Sequence, residues 1–95
     1  MPQNLSIDVP SDGWTLVTDA NVTTAMTFQN IGGGAIFVLG TNGTAEPVAT
    51  AGLIYRRDQG ESQKLLSDLF PGVTGVNRLW ARGVEGNSKV FVSHA

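Results

Sequence analysis

Val22-Thr23-Thr24-Ala25-Met26-Thr27-Phe28-Gln29 alternates with a period of two residues. Val22, Thr24, Met26 and Phe28 share one face, and Thr23, Ala25, Thr27 and Gln29 share the other, which is the pattern of a strand with one buried side. The glycine-rich turn Asn30-Ile31-Gly32-Gly33-Gly34 follows, and then Ala35-Ile36-Phe37-Val38-Leu39, a continuous apolar run expected of a strand covered on both faces. The two strands and their loop read as a β-hairpin whose loop exceeds the ideal two residues.

The same signals recur on either side. Residues 4–9 put Leu5, Ile7 and Val9 on one face and Asn4, Ser6 and Asp8 on the other, and Pro10-Ser11-Asp12-Gly13 ends that strand with turn formers. Residues 14–18 are β-prone, with Trp14 and Leu16 on one side. Residues 40–50, with Asn42-Gly43 and Pro47, read as a loop, and residues 52–57 as a short strand closed by Asp58-Gln59-Gly60. Residues 61–70 admit two readings. Leu65, Leu66, Leu69 and Phe70 make a helical stripe that Pro71-Gly72 would stop, whereas residues 63–66 alone would suit a strand. Residues 76–82 and 89–94 complete the series as two strands around the turn Glu85-Gly86-Asn87-Ser88, a second expected hairpin. About seven short antiparallel strands with Gly/Asn turns predict an all-β domain, a compact β-sandwich or barrel of jelly-roll-like type, with at most one short helix near 61–70.

The 95 residues suit one domain spanning 1–95, with 41% hydrophobic residues available for a core. Charged residues make up only 15% and the net charge is -2, so the basic footprint of a nucleic-acid binder is missing. There is no cysteine, hence no disulfide, zinc thiolate or thiol nucleophile. Met1-Pro2-Gln3-Asn4 is uncharged and leads into no apolar h-region, so no signal peptide is expected, and no apolar run reaches the ~20 residues of a membrane span.

No catalytic, cofactor or metal site is expected. The single histidine, His94, reads as a surface or edge residue on a fraying terminal strand. Gly32-Gly33-Gly34 is followed by an apolar strand and not by Gly-Lys-Ser/Thr opening a helix, so it reads as a turn using glycine's freedom at positive φ. Asp8, Asp12 and Asp19 lie near turns without the dense ligand spacing of a calcium loop. Glu61 and Asp68 could form a glycosidase pair only across a cleft, and a chain of this length has little room for one.

The residues most suggestive of function are Arg56-Arg57 and the trio Arg78, Trp80 and Arg82, because Trp and Arg are enriched at interface hot spots. With Leu79 and Ala81 facing the core, Trp80 faces outward between two guanidinium groups; with the opposite register, it is core. Trp14 and Tyr55 join these five as candidate interface residues.

The order of features resembles small virion proteins of tailed bacteriophages. Gly13-Trp14-Thr15, then Thr27-Phe28-Gln29-Asn30 with Gly32-Gly33-Gly34, then Leu79-Trp80-Ala81-Arg82-Gly83, the turn Glu85-Gly86-Asn87-Ser88 and the closing Lys89-Val90-Phe91-Val92-Ser93-His94-Ala95 carry the likeness. It covers most of the chain through pattern and not through one diagnostic motif. The resemblance implies a capsid decoration (cement) protein, made in the host cytoplasm and bound as a trimer to the major capsid protein on the capsid exterior, with no nucleic-acid or membrane partner. The alternatives are a tail or head-fibre component and a host-glycan-binding module using Trp14, Tyr55 and Trp80.

Overall fold

The computed structural model describes residues 3–94. Eight strands and one helical turn follow in the order β1 (Gln3–Val9), β2 (Thr15–Leu16), β3 (Met26–Asn30), β4 (Ile36–Thr41), β5 (Leu53–Tyr55), β6 (Gly60–Lys64), α1 (Leu66–Leu69), β7 (Arg78–Gly83) and β8 (Ser88–His94). The 61–70 stretch thus divides. Its first half pairs as a strand, and only Leu66–Leu69 turns helically, with Leu66 and Phe70 pointing into the core.

The strands form two four-stranded sheets, β1-β8-β3-β6 and β2-β7-β4-β5. The first strand pairs with the eighth, the second with the seventh, the third with the sixth and the fourth with the fifth, all antiparallel. The chain is therefore one long hairpin doubled on itself and rolled into two layers, the strand order of a jelly roll. Both expected hairpins are corrected by this order. β3 and β4 lie in opposite sheets, and so do β7 and β8. The segments between them bridge the layers, and the one sequential pair sharing a sheet, β4 and β5, is joined by the long segment 42–52.

Alternation places the core. Met26, Phe28, Val90 and Val92 from the first sheet meet Ile36, Val38, Leu79 and Ala81 from the second. Phe28 and Tyr55 meet edge to face across the layers at 5.0 Å and 86°. In β1, Val9 is buried and Ile7 half-buried, but Leu5 is 47% exposed, because the strand is an edge and its counterpart β2 is two residues long. The glycine turn works differently from expectation. None of Gly32, Gly33 or Gly34 has positive φ. A Cβ on Gly32 would instead fall 2.2 Å from Ser88 Oγ and 2.4 Å from Lys89 N, so close approach of two chain segments is what requires glycine there. Among the described residues, no helix is long and apolar enough to cross a membrane.

Candidate functional site

Each inward strand position calls for an apolar residue, and β3 breaks that rule at its end: Met26, Phe28 and then Asn30, fully buried. A buried amide must find partners for all its polar atoms. Asn30 Nδ2 donates to Gly34 O (2.8 Å) and Tyr55 O (3.0 Å), while its Oδ1 accepts from Gly32 N (3.1 Å) and Ser88 Oγ (2.9 Å). Its backbone accepts from Asp58 N at 2.7 Å and donates to Gln59 O at 2.8 Å. Through its side chain and backbone, Asn30 thus fastens the inter-sheet connections 31–35 and 56–59 and the start of β8 at one end of the sandwich. Loops held this way on a rigid scaffold suit recognition.

Arg56 and Arg57 sit in the second of these connections. Both are exposed, and neither has an ion-pair partner among the described residues. The turn is set by Gln59 N donating to Arg56 O and by Asp58 in the left-handed region at φ 69.

The other candidate interface residues are engaged within the fold. Leu79 and Ala81 face the core and Trp80 points to the opposite side between Arg78 and Arg82, so the first register reading holds. The expected exposure does not: Trp80 is 6% exposed and Trp14 7%. The outward face of β2-β7-β4-β5 is itself apolar, with Leu16 and Leu39 directly beside Trp80 and Phe37 and Ile54 further along it. Segment 42–52 folds back against it at Trp14, whose Nε1–H donates to Ala49 O at 2.6 Å. Trp80 Nε1–H donates to Thr41 Oγ1 at 2.8 Å. Arg78 donates to Asn21 Oδ1 and Thr18 O, and Arg82 to Ser11 O, so both arginines hold neighbouring loops.

Tyr55 is also buried, and its hydroxyl donates to Glu61 Oε2 at 3.1 Å. Burial first, then the hydrogen bond and negative charge of Glu61, raise its pKa well above the ordinary value of 10.0. A raised phenol pKa stabilises the fold fully below the ordinary tyrosine pKa, and that contribution is lost as pH rises above it. Tyrosinate absorbance should therefore appear in the native protein only at more alkaline pH than in the denatured chain. Glu61→Gln should bring the onset part of the way back, since burial remains. A native titration matching the denatured one would contradict this assignment.

His94 is corrected as well. It is 6% exposed, on a strand paired on both sides by β1 and β3. Its Nε2 lies 2.7 Å from Gln3 Oε1 and 3.4 Å from Asp19 Oδ1. Gln3 Nε2 donates to Val17 O and Gln3 Oε1 accepts from Asp19 N, which fixes the amide orientation and makes His94 Nε2–H the donor. This cluster joins the first described strand to the last.

An open groove of about 340 Å³ along the β3–β6 pair is lined by residues 27–29, Asp58 and residues 60–62. Among the described residues, no group of three or more His, Cys, Asp or Glu side chains is placed to hold a metal ion. A glycan reading built on Trp14, Tyr55 and Trp80 lacks a stacking platform, since all three rings are buried. Asn30, Ser88 and Gln3 are the residues that sequence reasoning missed; the available signal was a polar residue continuing an inward alternation. No protein family, characterised protein or solved structure matches the chain.

Proposed function

We propose that this chain is a structural protein of a tailed-phage virion, a decoration protein that binds the major capsid protein on the outside of the assembled head and acts as a trimer. The observation that carries the reading is the character of the two opposite edges. On one, Leu5 is 47% exposed; on the other, Leu53 and Ile54 are 42% and 50% exposed and are followed in the chain by the exposed Arg56 and Arg57. Two exposed apolar edges on opposite sides of the sandwich suit head-to-tail contact between copies, which closes into a ring where the rotation between copies allows it. The jelly-roll order adds an analogy of architecture only, since viral capsid domains and lectins both use it. Attachment to an assembled lattice then stabilises that lattice by mass action and multivalency.

Light scattering on a sizing column tests the oligomer. A trimer is expected, and Ile54→Lys should give a monomer with an unchanged circular dichroism spectrum. A wild-type monomer that also fails to co-sediment with expanded, undecorated heads of the encoding phage would remove the proposal. A tail or head-fibre component differs in copy number, with few chains per particle in place of many.

A further inference from the structure

Asn42-Gly43 opens the segment that folds against Trp14, and an asparagine before glycine can modify itself. The Gly43 nitrogen, on losing its proton to solvent base, attacks Asn42 Cγ. The N–Cγ bond forms, the Cγ–Nδ2 bond breaks, and the amide nitrogen leaves as ammonia. Water then opens the cyclic imide at either carbonyl, giving aspartate or isoaspartate. Glycine favours this because no side chain blocks the approach.

Both reacting groups are tied down here. Gly43 N–H donates to Asn77 Oδ1 at 2.9 Å, and Asn42 Nδ2 donates to Thr74 O at 3.1 Å. A Cβ on Gly75 would come within 2.8 Å of Asn42 Nδ2, so the backbone packs directly against the amide. The same short segment connects to the buried indole. Thr41 Oγ1 donates to Gly43 O at 2.8 Å and accepts from Trp80 Nε1 at 2.8 Å.

We infer that Asn42 is a deamidation site held in check by Asn77 and Thr74, whose conversion releases the root of segment 42–52 and loosens Trp80. A carboxylate at this position can only accept hydrogen bonds and would face the Thr74 carbonyl, so the contact is lost. Isoaspartate also inserts a methylene into the backbone between Thr41 and Gly43.

The test is incubation of the full chain at mildly alkaline pH, with mass spectrometry of the peptide containing residue 42. Two hydrogen bonds must open before cyclisation, so the native protein should convert about tenfold more slowly than the same chain in urea. Asn77→Ala should convert faster than wild type, and Asn77→Asp, which keeps an acceptor for Gly43 N–H, should stay slow. Asn42→Asp should shift tryptophan emission to the red. Equal native and urea rates would overturn the inference. So would a folded Asn77→Ala that converts no faster than wild type, or an unchanged emission spectrum in Asn42→Asp. If Asn77→Ala does not fold, the native-to-urea ratio and the Asn77→Asp rate decide the matter.

Discussion

Asn30→Ala should lower stability by ~3 kcal/mol, a fall in melting temperature of about 15 °C for a domain of this size. Truncation leaves the Ser88 hydroxyl, Gly32 N–H and the carbonyls of Gly34 and Tyr55 without the amide they share. Ser88→Ala leaves Gly34 O its bond from Asn30 Nδ2 and Asn30 Oδ1 its bond from Gly32 N–H, so it should cost less, about 1 kcal/mol. The double variant should cost less than the sum of the two, because the pair shares one bond. Asn30→Asp separates volume from hydrogen bonding. It nearly keeps the size of the side chain but turns an acceptor toward Gly34 O and Tyr55 O, so it should be as damaging as alanine. Thermal unfolding followed by circular dichroism checks all four. A melting temperature for Asn30→Ala within a few degrees of wild type would mean that these segments are held by other contacts.

Trp80→Ala should cost about 3 kcal/mol, a loss of folding stability and not primarily of assembly. The sequence alone left two readings, Trp80 outward and available to a partner or Trp80 in the core. Register did send it outward, but on that face it sits between Leu16 and Leu39 and is only 6% exposed. Trp80→Phe keeps most of the apolar volume and loses the Nε1–H bond to Thr41, so about 1 kcal/mol is expected. Melting curves of the isolated protein, beside its solution mass, separate the outcomes. An unchanged melting temperature with a lost trimer would place Trp80 at a subunit contact.

The locally encoded features were readable because a period of two is a property of neighbouring residues. Most strands fall where alternation put them, as does the inward set Met26, Phe28, Leu79 and Ala81. The mixed reading of 61–70 reflects a real conflict. The leucine stripe has helical spacing, yet Gly60–Lys64 completes the β3 edge, and only one turn of helix remains. Of the seven candidate interface residues, Trp14, Tyr55, Arg78, Trp80 and Arg82 are engaged within the chain itself. Only Arg56 and Arg57 remain exposed with side chains uncommitted to an ion pair among the described residues.

By itself, the sequence determined an all-β chain with short strands, glycine and asparagine turns, and no cysteine chemistry, because composition and alternation act within a few residues. Only the tertiary structure decided which strands pair, which sheet each joins and what happens to the polar residues at inward positions. Asn30 meets Ser88 across 58 residues and Gln3 meets His94 across 91. Such contacts form between strands that nest as the doubled hairpin closes, and no local pattern carries that nesting. A polar side chain at an inward position states a demand for a partner, and only the packed fold supplies one.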